Sequence, residues 1–216
     1  MTEAYPFYSR AELVADGVVH VLGIAFGLAG LAVLLALSLT QLDAASATAV
    51  LVYGAGMLAV FCFSAAYNLS LRSRWRWLLR RLDHAAIYVK IAATYTPFAA
   101  LKLGGTPGLL LLAAVWGIAA FGASAKLIAP AQLVRTSYVL YLAQGWAGVF
   151  AFGPMAEALS STALTLLIAG GVLYTVGVVF HLWQKLPYNN AIWHGCVLTA
   201  SALHFAAVLD AVALGS

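Results

Sequence analysis

Charge is what this sequence has least of. Only 8% of its 216 residues are Asp, Glu, Lys or Arg, with seven acids in all, while 64% are hydrophobic. A soluble domain of this size could not hide that much apolar surface. Alternation of apolar and polar residues is also missing, which argues against membrane strands. The apolar stretches are continuous, and runs of about 20 residues recur along the length, enough to cross a bilayer as helices. Backbone groups in lipid must be paired internally, so helices are the remaining architecture. The two cysteines, Cys62 and Cys196, both fall inside apolar stretches and read as buried thiols rather than a disulfide framework. No GxxxxGK[ST] phosphate loop is present. No low-complexity tail, long linker or separate soluble domain stands out.

The expectation is therefore one all-α integral membrane domain over residues 1–216, a seven-helix bundle. The spans are placed at about 14–39, 46–70, 82–102, 107–128, 132–153, 159–183 and 190–213. The first apolar run is too long for a cleaved signal, and Glu3 and Glu12 precede it. A pI near 9.2 would suggest nucleic acid in a soluble protein. Here the cations gather in a few loops and read as topology signals, so no nucleic-acid partner is expected and membrane lipids are. With the N-terminus cytoplasmic, the inner side holds Arg10, Arg72, Arg74, Arg76, Arg80, Arg81, Lys126, Arg135 and Lys185, and the outer side only Lys102. That asymmetry predicts N-inside and C-outside, in a cell membrane and most simply the inner membrane of a bacterium.

The intramembrane polar residues fall in one layer. Asp16 and His20 share a face of span one at i,i+4. Ser64 and Asn68 end span two, Asp83 and His84 open span three, and His181 ends span six. Asn190 and His194 open span seven, and only His204 lies well outside the layer. An acid inside a span, as Asp83 is, marks a functional site by default. Each residue has a structural alternative: a backbone partner for His20, back-bonding for Ser64, interhelical glue for Asn68 and Asn190. Together they predict a polar pocket open to the cytoplasm.

Several stretches are similar to one known family. They are Ala15-Asp16-Gly17-Val18-Val19-His20, Ser64-Ala65-Ala66-Tyr67-Asn68, Asp83-His84-Ala85-Ala86-Ile87-Tyr88, Ile91-Ala92-Ala93-Thr94-Tyr95-Thr96-Pro97, Asn190-Ala191-Ile192-Trp193-His194 and His204-Phe205. On these the chain resembles the haemolysin III proteins, the bacterial branch of the progestin and adiponectin receptor (PAQR) superfamily. The resemblance implies seven helices and a zinc ion in the cytoplasmic leaflet, held by three histidines. Position by position, the ligand sites are Asn68, Asn190 and His194. The resemblance also implies that Asp83 lies beside the zinc, with Ser64 assisting. Two of the three ligand positions hold asparagine, and a carboxamide oxygen is a poorer zinc donor than imidazole. Asp83, His20 or His84 would have to complete a changed site.

Lys90 stands where the family has an apolar residue, seven positions after Asp83 and nearly on the same face. Two readings stay open: its ammonium replaces the metal's charge near Asp83, or it snorkels elsewhere or pairs with a different group. For function, the resemblance implies a membrane-homeostasis factor, with an intramembrane lipid amide or ester hydrolase as the alternative. A cytolytic pore is a second alternative, poorly matched by polar residues in one layer.

Overall fold

The computed structural model describes residues 8–128 and 136–214 and is helical, with no strand among the described residues. Among the described residues eight α-helices follow in chain order: α1 Arg10–Thr40, α2 Ala44–Leu69, α3 Arg76–Pro97, α4 Gly105–Ile128, α5 Thr136–Gly145, α6 Phe152–Ala158, α7 Ser161–Leu182 and α8 Asn189–Leu209. Local chemistry sets several of their ends. Ser9 and Glu12 form a reciprocal capping box that starts α1. Asp43 caps α2 by accepting from the backbone N–H groups of Ala45 and Ser46. Gly104 and Gly105 turn the chain into α4 at φ 58° and 49°, a conformation that costs glycine little.

Among the described residues six stretches are long and apolar enough to cross a membrane: Arg10–Thr40, Ala44–Leu69, Gly105–Ile128, Thr136–Ala158, Ser161–Leu182 and Asn189–Val212. The fourth of these is broken. After α5 the chain passes through a 3-10 turn, Ala147–Ala151, before α6. Residues 132–135 of the expected fifth span lie outside the described residues.

The third expected span differs from the sequence expectation at both ends. Its helix begins at Arg76, not near residue 82, so Arg76, Arg80 and Arg81 occupy its first turns rather than a loop. Five charged residues keep α3 out of the apolar set, yet it is the most enclosed part of the bundle. It packs against α2 and α4, and Asp83, Ala85, Ala86, Tyr88, Lys90, Ala92, Ala93 and Thr94 are all buried. A helix covered by protein has no need of an apolar surface. Pro97 cannot donate a backbone hydrogen bond, and the α-helix gives way there to a π turn, Phe98–Leu103.

Close helix approach relies on small residues, as in other membrane bundles. On α1, a Cβ at Gly23 or Gly27 would come within 3.1–3.2 Å of the Phe61 ring of α2. On α2, a Cβ at Gly56 would stand 2.7 Å from Ala93 Cβ of α3. One apolar cluster joins α1, α2 and α8 through Leu34, Tyr53, Met57 and Val208. A second joins α3, α4 and α5 through Tyr88, Val115 and Tyr141. Lys126, counted among the inner-side cations, is buried in the last turn of α4.

Candidate metal centre

Helices α1, α2 and α8 bring five of the sequence-selected side chains into one hydrogen-bonded group. Asp16 and His20 sit on the buried face of α1, a turn apart. Across from them, His194 is buried on α8. His194 Nδ1 donates to Asp16 Oδ1 at 2.6 Å. In a neutral ring that leaves Nε2 to accept from the Ser64 hydroxyl, 3.4 Å away on α2. Asn190 Nδ2 donates to Asp16 Oδ2 at 3.0 Å and to Asn68 Oδ1 at 3.4 Å. Asn68 Nδ2 in turn donates to the Ser64 carbonyl at 3.0 Å. Asp16 is thus the hub, one carboxylate serving an imidazole and a carboxamide.

The rings of His20 and His194 are 4.3 Å apart at their centroids. His20 Nε2 lies 3.4 Å from Asp16 Oδ2 without hydrogen-bond geometry, and it is a buried nitrogen with no hydrogen-bond partner. Such an orphan costs free energy unless something fills the position. One ligand atom from each of Asp16, His20 and His194 lies within 4.8 Å of the other two. Two imidazoles and one carboxylate are a donor set that zinc and other borderline divalent ions accept, with a coordination position left open. The residues present therefore fit a metal ion, through Asp16 and His20 rather than Asn68 and Asn190. The two asparagines sit beside the triad and spend their amides on hydrogen bonds.

Asp83 is buried on α3 on the Ser64 side of the group, near enough for its charge to act on His20 and Asp16. The other expected members lie elsewhere. His84 is turned away from Asp83, as the roughly 100° between successive helical residues requires. Its ring faces Tyr67, and its carbonyl accepts from the Tyr141 hydroxyl at 2.9 Å. His181 lies 3.1 Å, Nε2 to Oη, from Tyr138 and packs on Trp193. Lys90 does not lean down to Asp83. Its ammonium meets the Tyr174 hydroxyl on α7, so the reading that places its charge at the metal position is corrected in favour of a different partner. The physical reason is that Tyr174 offers an acceptor at its own level, whereas Asp83 lies seven residues, about 10 Å, away along the axis.

One contact escaped the sequence reading. Glu12 Oε1 accepts from the backbone N–H of Tyr188 at 2.9 Å, tying the first turn of α1 to the residue before α8. Tyr188 itself has φ 60°, an uncommon value for a side chain of that size. This clasp lies one turn from Asp16 and six residues from His194, so it fixes the two ligand-bearing helices against each other. The Ser9-x-x-Glu12 spacing was the available signal.

A family model described as haemolysin-III related matches residues 8–205. The chain is 37% identical over 198 residues to Hemolysin-3 of Bacillus cereus, covering 92% of this chain and 90% of that protein. It is 34% identical over 202 residues to the Hemolysin-3 homolog of Bacillus subtilis (strain 168), covering 94% and 95%. It is also 28% identical over 166 residues to the monocyte to macrophage differentiation factor of Homo sapiens, covering 73% and 67%. No solved structure matches the chain.

Proposed function

Because the chain belongs to the haemolysin-III related family, we propose that it is a seven-span protein of the bacterial plasma membrane, with a cytoplasmic N-terminus, that acts in membrane lipid homeostasis through a metal centre. The seventh span in this reading is α3, which buries Asp83 and Lys90 among its neighbours. The orientation rests on the basic residues gathered at one end. The observation that carries the metal reading is the Asp16–His20–His194 triad, with an unpartnered buried imidazole nitrogen aimed into it. Zinc is the ion that the family and the donor set favour. Asp16 and the two histidines would hold it, and Asn68 and Asn190 would orient Asp16 through their amides.

An intramembrane lipid amide or ester hydrolase is the second reading, favoured by Ser64 and Asp83 beside the triad. A bound zinc would supply Lewis acidity and lower the pKa of water. In that chemistry Asp83 would take the proton of the attacking water. Ser64, hydrogen-bonded to His194, would orient the carbonyl group of the lipid. A lipid entering from the cytoplasmic leaflet is the natural substrate at this depth.

The test is elemental analysis of the purified protein beside an Asn68→His/Asn190→His variant. About one zinc per chain in the wild type, lost in His20→Ala, is the expected result. Zinc in the double variant alone would overturn the triad as a metal site and leave a structural scaffold. For the homeostasis role, expression in a bacterial host should change membrane order as read by an environment-sensitive dye. Asp16→Ala should abolish that change, and an equal change from the variant would sink the link between site and role.

A further inference from the structure

A second buried polar group lies in the bundle, one layer from the triad. It comprises Lys90 on α3, Tyr174 on α7, and Ser201 and His204 on α8. The Lys90 ammonium nitrogen meets the Tyr174 hydroxyl and stands 4.2 Å from the centre of that ring. The Tyr174 hydroxyl is also 2.7 Å from Ser201 Oγ. The His204 ring is 5.5 Å from that of Tyr174. Its Nε2 donates to the Leu167 carbonyl at 3.2 Å, and its Nδ1 is buried without a partner. Lys90 lies seven residues beyond Asp83, and Ser201 seven beyond His194, so the group is about 10 Å further into the membrane.

Lysines in membrane helices usually carry the ammonium to the interface or to a carboxylate. Lys90 does neither. Among the described residues no carboxylate pairs with it, and the span acids Asp16 and Asp83 both belong to the other layer. On its other side the backbone of α2 closes in at Gly56, whose added Cβ would be 3.6 Å from Lys90 Cα. Desolvated lysines without a counter-ion are the ones that act as amine nucleophiles toward carbonyl groups, with a neighbouring hydroxyl as acid. Lys90 and Ser201 are buried, and Tyr174 and His204, only partly so, are the approach from the bilayer.

We propose that Lys90 is a carbonyl-reactive amine and that the Lys90–Tyr174–Ser201–His204 group forms a reversible imine with a membrane-partitioned, long-chain aldehyde. With the third ammonium proton first lost to solvent, the Nζ lone pair of the neutral amine adds to the aldehyde carbon, and the carbonyl oxygen takes the proton of the Tyr174 hydroxyl. One of the two amine hydrogens returns to the Tyr174 oxygen, leaving a carbinolamine. Its C–O bond then breaks as the nitrogen lone pair forms C=N. The oxygen leaves as water with the second amine hydrogen. The water that leaves carries the carbonyl oxygen, the proton given by Tyr174 and the second amine hydrogen, the first amine hydrogen restores the Tyr174 hydroxyl, and nothing is oxidised or reduced.

The chain has four lysines, Lys90, Lys102, Lys126 and Lys185, which makes the assay simple. The protein in phosphatidylcholine nanodiscs is incubated with hexadecanal and cyanoborohydride, and adducts are mapped by mass spectrometry. Lys90 should be alkylated faster than Lys102 and Lys185. Tyr174→Phe should slow Lys90 by about 100-fold, the low end of general-acid assistance, and leave Lys102 and Lys185 unchanged. A wild-type Lys90 that reacts no faster than Lys102 and Lys185 overturns the proposal, and that comparison needs no variant. A folded Tyr174→Phe protein, judged by gel filtration and helical circular dichroism, that alkylates Lys90 at the wild-type rate overturns it as well.

Discussion

Replacing Asp16 tests the centre of the site most directly. Its carboxylate accepts two hydrogen bonds from α8, from His194 and from Asn190. Polar contacts between membrane helices average about 0.6 kcal/mol and reach about 1.7. Asp16→Ala should therefore destabilise the apoprotein by about 1 kcal/mol, with a ceiling of about 3.5 kcal/mol. The metal effect is separate. Loss of a group that only orients a ligand costs about 10–100-fold in affinity, so loss of a ligand should cost at least about 100-fold. Zinc at 100 times its Kd should stabilise the wild type by about 2.7 kcal/mol and leave Asp16→Ala unmoved. Asp16→Asn separates the two effects: it keeps the shape and one acceptor oxygen, so it should retain part of the stability while losing the zinc response. The assay is reversible unfolding in mixed micelles, with and without zinc. An Asp16→Ala protein as stable as wild type, or one with an undiminished zinc response, would refute the hub assignment.

Gly56→Ala should destabilise by about 1–3 kcal/mol, because a methyl 2.7 Å from Ala93 Cβ pushes α2 from α3; equilibrium unfolding checks it, and wild-type stability would show that the helices part freely. Asp43, in the loop between α1 and α2, offers a pH test. Hydrogen bonds from Ser46 and Ala45 hold its carboxyl below the ordinary value of 3.8. A depressed folded pKa means that its stabilising effect is present above the unfolded pKa and fades as pH falls through the folded one. Protection of the Ala45 and Ser46 amides, measured against their intrinsic exchange rates, should therefore fall on acidification below about pH 4, and Asp43→Ala should show the lowered protection at neutral pH.

The polar layer was legible because helical geometry is local. Asp16 with His20, and Asn190 with His194, are i,i+4 pairs, and any helix through them puts each pair on one face. Asn68 and Ser64 followed from the same rule. His84 was separable from Asp83 by the angle between successive residues alone. The broken fifth span was not legible, because its apolar composition is continuous through the turn at Ala147–Ala151. The early start of α3 was hidden by its arginines, which resemble a loop until their partners on other helices are seen: Arg76 donates to the Tyr67 carbonyl and Arg81 to that of Leu127.

By itself the sequence determined the all-helical membrane architecture, the faces on which polar groups stand, and the resemblance that led to the family. Those follow from apolar run length, residue period and motif, all properties of neighbouring residues. Only the tertiary structure decided which faces meet. It made Asp16 the hub, His20 the candidate third ligand, and Asn68 and Asn190 the supports around them. It also sent Lys90 to Tyr174 instead of Asp83, because a flexible side chain buried in a bundle ends on the polar partner that another helix places at its own level.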